Sequence, residues 1–281
     1  MGFTKALLEY IARDEIMYTS ASSGGIFTAY ALCANKIEYI EKLYGSINIT
    51  KTPRLFWEVF AKGLISNVFD TMMSVEDNLT IPMCFSVCHI PFFNVRYYWI
   101  LGKNNRIWKK YFTAATNYPF FKIIPSFIGG RFAIDGGAAD NIPIYPLLHS
   151  DDILKKTEKP DLIFVLHFDA RYDYRRYFTT DIPIIDMDVS IGNDFKKGHY
   201  NFAGDVMKER IATSYEYGKK ICSKLFDSDC SPEHFKQAAA EIFLDEHDRR
   251  QKHFSVDSLL STLNVLGRTF RNDRDCIRKL F

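Results

Sequence analysis

Nowhere in the 281 residues does an apolar run approach the roughly 18 that a membrane-spanning helix requires. No basic N-terminal region leads into an apolar stretch with a small-residue cleavage site, so a cytosolic location is expected. No charge sign dominates either. The 36 Lys and Arg stand against 34 Asp and Glu, a net charge of +2, which supplies no global field for nucleic acid or an anionic membrane. Contact with lipid, including peripheral association with a membrane, therefore has to be local. Cysteine is sparse: Cys33, Cys84, Cys88, Cys222, Cys230 and Cys276 lie far apart in a chain with enough apolar mass for a core, as expected of free thiols in a reducing compartment. Cys84, Cys88 and His89 form the one ligand-like cluster. They lack further Cys or His at motif spacing, and their surroundings read as a buried strand, so no metal is expected. Repeats, low-complexity tracts and an obvious linker are also absent.

What is present is apolar and aromatic: 47% of the chain is hydrophobic and 15% of the chain is Phe, Trp or Tyr, enough for a folded globular protein. Phe3, Leu7, Leu8 and Ile11 recur at helical spacing, and "IMYT" reads as a short strand. "GIFTAYALCANKI" suits a helix packed closely on a sheet. From Pro53, a stripe of Phe56, Val59, Phe60, Leu64 and Val68 predicts a helix that packs in the core or roofs an apolar pocket. "MCFSVCHIPFF" and "RFAID" read as strands flanking the helical "NNRIWKKYFTAATNYPF". "DLIFVLHF", after Pro160, has the continuous apolar character of a central strand. Residues 170–199 carry no sustained period and are expected to form a loop or small lid. Helical spacing returns in "GDVMKERIATSYEYGKKICSKLF". Two further helices follow, one opened by Ser231 and Pro232, the other capped by Ser255 and ended by Gly267. Their mixed charges mark solvated helices rather than a nucleic-acid arm. Strands alternating with helices give an α/β chain with a parallel or mixed sheet.

Two segments carry chemistry. "TSASSGGIFTAY" places Ser20, Ser22, Ser23, Gly24 and Gly25 at a strand-to-helix turn, where a helix start brings positive dipole to a serine oxygen. Two registers compete for a G-x-S-x-G elbow, one centred on Ser22 and one on Ser23, and both lack the first glycine. Plain capping by Ser and Gly is the simpler alternative. In "FAIDGGAADNIPIYPLL", Asp135 ends a strand while Gly136 and Gly137 permit a tight turn. An acid held there can take a serine proton; an Asx turn without chemistry is the alternative.

These segments together resemble the patatin-like phospholipase family, lipid acyl hydrolases that use a Ser-Asp dyad in place of a Ser-His-Asp triad. "IMYTSASSGGIFTAYAL" is similar to the family's nucleophile turn and following helix. "ATNYPFF" leading through "FAIDGGAADNIP" is similar to its Asp-Gly-Gly segment, and "ERIATSYEYGKK", Glu209 to Lys220, to its closing helix. The resemblance runs from about Gly2 to Lys224. It implies a three-layer fold around a mainly parallel or mixed sheet, with a patatin-like domain over residues 1–228 and a helical extension, 229–281, packed on it. It also favours Ser22, because Ser20 to Gly24 resembles the family's Gly-Ala-Ser-Ser-Gly variants, and it makes Asp135 the base. Ser20, Ser23, Gly24, Gly25, Gly136 and Gly137 become motif and oxyanion support. The implied substrate is a lipid or other acyl ester, with no cofactor, metal or nucleic acid. His89, His149, His167 and His199 are left without catalytic duty. One family feature is missing. The loop Gly-Gly-Gly-x-Arg-Gly, which builds the oxyanion hole, does not precede Ser22, and "MGFTKALLEYI" resembles the helix that follows it, so the first strand and that loop are expected to be missing from the chain. Loss of even one oxyanion donor costs roughly 3 to 4 kcal/mol, which keeps an inactive lipid-binding or scaffold protein as the alternative.

Overall fold

The computed structural model describes residues 1–46, 69–73, 77–103, 106–117, 125–149, 159–167, 180–189, 204–250 and 277–279. The stripe expected from Phe56 to Val68, most of the expected loop between residues 170 and 199, and the helix expected after Ser255 lie outside the described residues. In chain order the strands are β1 (Thr19–Ala21), β2 (Asn78–Ile90), β3 (Asn94–Lys103), β4 (Ser126–Ile128), β5 (Arg131–Asp135), β6 (Ile163–His167), β7 (Ile184–Asp188) and β8 (Ile277–Lys279). The helices are α1 (Gly2–Leu7), α2 (Gly25–Cys33), α3 (Ile37–Ser46), α4 (Arg106–Ala115), α5 (Tyr145–Leu148), α6 (Gly204–Phe226) and α7 (Pro232–Arg250), with 3-10 turns at Arg13–Glu15 and Gly136–Ala138. The result is a mixed α/β fold with a central mixed sheet and flanking helices. No helix among the described residues is long and apolar enough to cross a membrane.

The chain divides into two compact units, each discontinuous in sequence. A sheet unit takes Ile16–Ile40, Ile49–Lys156 and Leu259–Phe281; a helical unit takes Met1–Glu15, Glu41–Asn48 and Thr157–Ser258.

In the sheet unit the order is β4-β5-β2-β3-β8, with β1 also paired to β2. The β2–β3, β2–β5 and β4–β5 pairs are antiparallel, whereas β1–β2 and β3–β8 are parallel. β2 begins with alternating burial and ends buried on both faces, the pattern of a strand that enters the middle of a sheet. Pro82 has no N–H to donate, and the ladder to β3 shifts register between Leu79 and Met83 accordingly. One face of β2 presents Phe85 to Phe112 of α4, their rings meeting edge-on at 5.1 Å, and Phe112 in turn meets Tyr30 of α2 edge-on at 5.8 Å; all three are fully buried. Complete burial of each such ring contributes about 1.5–3 kcal/mol. The opposite face presents Cys84 and Cys88 to Tyr97, Trp99, Ile134, Ala138 and Ala139. Asp77, just before β2, is tied to α2 by Tyr30 Oη at 2.5 Å and to Lys36 Nζ at 2.5 Å.

In the helical unit, β6 and β7 form a two-stranded parallel sheet, Ile163 opposite Ile184 through His167 opposite Asp188. "DLIFVLHF" is therefore not the central strand of the large sheet, as its apolar run predicts. β6 is buried on one face only, Ile163, Val165 and His167 being covered while Leu166 is 38% exposed, so the apolar run overstates how central the strand is. Phe3 and Leu7 of α1, Ile185 and Met187 of β7, Leu225 of α6 and Ile242 of α7 share one core. α7 opens as the sequence implies: Ser231 Oγ accepts the His234 N–H at 3.3 Å, and Pro232 is its first residue. α1 lies close on α6 because Gly218 has no side chain. A Cβ there would stand 2.8 Å from Phe3 Cδ2 and 2.9 Å from Ala6 Cβ. Gly218→Val is accordingly expected to lower stability by about 2 kcal/mol through overpacking, read as a reduced urea midpoint at unchanged slope.

Candidate functional site

β3 occupies one edge of β2 along most of its length, so β1 and β5 share the other. β1 runs parallel to β2 and ends with Ala21 opposite Phe85. β5 runs antiparallel and ends with Asp135 opposite Val87. The two strands therefore approach head to head, their last residues separated along β2 by Ser86 alone, a span of about 7 Å. The serine turn and the acid turn, 112 residues apart in sequence between Ser23 and Asp135, meet in that gap.

Ser23 is the serine that makes the contact. Its Oγ donates to Asp135 Oδ2 at 2.6 Å, and its backbone lies in the left-handed region at φ 51°. Ser22, favoured by the family resemblance, has a buried Oγ with no hydrogen-bond partner among the described residues. It nevertheless faces the same place, since a Cβ built on Gly137 would lie 3.6 Å from Ser22 Oγ and 3.0 Å from Asp135 Oδ1. Neither serine caps α2 through its side chain. The N-cap is Gly24 without a side-chain bond, while the Ser22 and Ser23 carbonyls accept the N–H groups of Gly25 and Ile26. Ser20, opposite Cys84 in the β1–β2 pair, also has a buried Oγ without a partner among the described residues.

Asp135 is fully buried, and both of its oxygens are engaged. Oδ1 accepts the Gly137 N–H at 2.7 Å, and Oδ2 accepts from Ser23. Burial pushes the carboxyl up from 3.8 to about 7, although the hydrogen bonds from Ser23 and Gly137 pull the other way. Asn117 fixes the backbone, its carbonyl accepting the Asp135 N–H at 3.0 Å. The turn that follows is moulded on β2. A Cβ on Gly136 would stand 2.2 Å from the Ser86 carbonyl oxygen, a backbone atom that cannot move aside, so only glycine fits. Ser86 Oγ donates to the Asp140 carbonyl at 3.1 Å, and Tyr97 Oη donates to Asp140 Oδ2 at 2.5 Å. Sequence patterning assigns no role to Ser86, Tyr97 or Asp140. The one signal is that Asp140 lies inside the Asp-Gly-Gly segment.

The ligand-like cluster of the sequence does not converge. Cys84 and Cys88 belong to one face of β2, whereas His89 turns to the other and its Nε2 meets Tyr98 Oη at 3.0 Å. Burial and the Asp135 charge push the Cys88 thiol up, and burial with the Arg96 and Arg131 charges pushes His89 down to about 4. Among the described residues no three His, Cys, Asp or Glu side chains are grouped to hold a metal ion. The cysteines described are free thiols. His149 stacks on Tyr145, His167 lies beside Asp186 in the helical unit, and His199 is outside the described residues. Comparison with protein-family models finds no match to the chain, and comparison with curated proteins finds none either.

The Asp135 shift has a sign that stability measurements read directly. The unfolded chain releases this proton near 3.8, whereas the folded chain holds it to about 7. Between those values the folded state binds the extra proton, so stability falls as pH rises through the window and levels off above it. Urea titrations from about pH 4 to pH 8 are expected to show the wild type losing on the order of 4 kcal/mol relative to Asp135→Asn. Parallel profiles for the two proteins would show that the buried carboxyl titrates normally.

Proposed function

We propose that the chain is a serine-dependent carboxylic-ester hydrolase acting on lipid acyl esters, with Asp135 as its base. The supporting observation is the 2.6 Å hydrogen bond from Ser23 Oγ to a fully buried carboxyl pushed up to about 7. A general base is most effective when its pKa lies near the working pH. On this reading Ser23 is the nucleophile, and Ser22, which the family resemblance favours, lines the same turn. The patatin-like three-layer arrangement and the lipid substrate rest on the motif resemblance.

Ser23 Oγ attacks the ester carbonyl carbon while its proton passes to Asp135 Oδ2. The oxyanion that forms lies at the start of α2, where the Gly24 N–H follows the nucleophile in the chain and the helix dipole is positive. Collapse of the tetrahedral species breaks the ester C–O bond, and Asp135 returns the proton to the departing alcohol. A water then gives its proton to Asp135 and attacks the acyl-serine; the bond from the acyl carbon to Ser23 Oγ breaks, Asp135 passes the proton to Ser23 Oγ, and the acid leaves. With Gly137 donating to Oδ1, the carboxyl keeps one oxygen fixed and turns the other to the serine.

A second reading, lipid binding without turnover, draws on the same turn. Asp135 caps the Gly136–Ala138 turn, a structural duty that requires no chemistry. Hydrolysis of short-chain nitrophenyl esters separates the two. Ser23→Ala and Asp135→Asn are expected to lose at least about a thousandfold in kcat/KM with folding retained, while Ser22→Ala stays within about tenfold. In the wild type, kcat/KM should rise with pH through about 7 and then level, because the base acts when deprotonated. A fluorophosphonate adduct on Ser22 would move the nucleophile by one residue. Saturable fatty-acid binding with neither labelling nor hydrolysis would favour the binding reading.

A further inference from the structure

One face of the sheet unit carries cations that no acid answers. β2, β3, β4 and β5 contain a single Asp or Glu, Asp135, whose oxygens are taken by Ser23 and Gly137. The helix α4, which packs on β2, β4 and β5, contains none. Arg96 of β3 and Arg131 of β5 accordingly form no ion pair among the described residues.

The ladders fix where these two arginines stand. His89 of β2 lies opposite Asn94 of β3 and Ala133 of β5. Arg96 is two residues beyond Asn94, and Arg131 is two residues before Ala133, so all three share one face of the sheet. An arginine stands on each side of His89, one strand over and two residues along, about 8 Å away between Cα atoms. Neutral donors converge on the same place. His89 Nε2 meets Tyr98 Oη at 3.0 Å, and the Tyr98 ring packs against Tyr111 of α4 at 4.7 Å. A Cβ on Gly129 would lie 3.7 Å from Tyr98 Oη and 4.0 Å from Tyr111 Oη, so both hydroxyls reach the β4–β5 turn, two residues from Arg131. His89 is 2% exposed, Arg96 is half-buried and Arg131 is exposed, so the group runs from a buried imidazole out to solvent. Burial and then the Arg96 and Arg131 charges push His89 down to about 4, which leaves the imidazole neutral at neutral pH.

We infer that Arg96 and Arg131, on either side of His89 and beside Tyr98 and Tyr111, form a binding site for a phosphate group of the kind a phosphate monoester carries. Charge selects it. Two guanidinium groups match a monoester, which is a dianion above its second pKa of about 6, whereas a carboxylate brings one charge. Shape selects it as well. The arginines come from opposite sides, and a tetrahedral anion offers oxygens in both directions, while the two oxygens of a carboxylate suit a single fork. The phenol hydroxyls are placed to donate to a further oxygen. The site does not depend on hydrolysis.

Calorimetric titration of the full chain with inorganic phosphate tests this, at about pH 7.5 where phosphate is mainly dianionic and with ionic strength held constant by chloride. Saturable binding is expected, with glycerol 3-phosphate comparable and acetate without effect. Arg96→Gln and Arg131→Gln should each weaken phosphate binding roughly tenfold or more, as loss of a charge-assisted bond does. Arg131 is exposed, so circular dichroism should show its variant folded, and Arg96→Lys, which keeps the charge without the fork, should bind between wild type and Arg96→Gln. Lys103→Gln, exposed at the far end of β3, should bind as the wild type does. Asp135→Asn should too, which separates this site from the proposed catalytic reading. Vesicles containing phosphatidic acid distinguish the source of the phosphate. Co-sedimentation competed by inorganic phosphate assigns the site to a lipid headgroup, and its absence beside glycerol 3-phosphate binding assigns it to a soluble monoester; both uphold the site. Absence of phosphate binding at millimolar concentration, equal affinity in the wild type and both glutamine variants, or equal binding of acetate would overturn it.

Discussion

The shared edge of β2 is the constraint on which the site depends. One strand pairs β1 in parallel over Met83–Phe85 and β5 in antiparallel over Val87–Ile90, with only Ser86 between them. Two turns that would otherwise be held by loops alone are thereby placed by backbone ladders. Ser86 fills the gap from three directions: its carbonyl stands against Gly136, its Oγ holds the Asp140 carbonyl, and its partner across the sheet, Tyr97, holds the Asp140 carboxyl. A slip of one residue in either ladder would turn every side chain to the opposite face and separate Ser23 from Asp135. The precision of a 2.6 Å contact between distant segments thus comes from register, and the polar groups around Ser86 lock that register.

Asp135 shows two effects opposed, with magnitudes that decide between them. Each unit of pKa displacement is about 1.4 kcal/mol, and two hydrogen bonds to a carboxylate are often enough to hold it below its ordinary value. Here complete burial outweighs both, and the net displacement is upward. The cause is what surrounds the group. The donors to Asp135 are one hydroxyl and one amide rather than a cation, so no positive charge offsets the loss of water around it. The same arrangement that raises the carboxyl therefore works against the folded state as it ionises. An isosteric amide at this position would spare the fold that cost.

Much of this was legible in the residues. A short strand closing on Asp135, two glycines after it, and a serine cluster between a strand and a helix are local patterns, and local patterns survive translation into coordinates. The α/β class followed from the same alternation. Misplacing "DLIFVLHF" in the large sheet came from reading an apolar run as burial on both faces: β6 is covered on one face only, with β7 as its ladder partner in its own unit. The most extensively paired strand, β2, is interrupted in sequence by Pro82, which lowers its apparent strand character. Which of Ser22 and Ser23 touches Asp135 was not legible for a different reason. It turns on one backbone dihedral, and three adjacent serine and glycine residues offer no sequence preference that would set it.

That dihedral carries weight of its own. Left-handed backbone favours glycine, and glycine stands one residue later: Ser23 is at φ 51°, whereas Gly24 sits at φ −59° with open space where a Cβ would go. On backbone preference alone the two residues would be exchanged. A non-glycine residue in the left-handed region costs roughly 1–2 kcal/mol, so something at position 23 must offset that cost. Among the described residues the side chain of Ser23 makes one hydrogen bond, to Asp135, and that bond needs the hydroxyl which glycine lacks. Left-handed backbone at Ser23 and its hydrogen bond to a buried carboxyl are two independent features of the turn on which the proposed nucleophile rests.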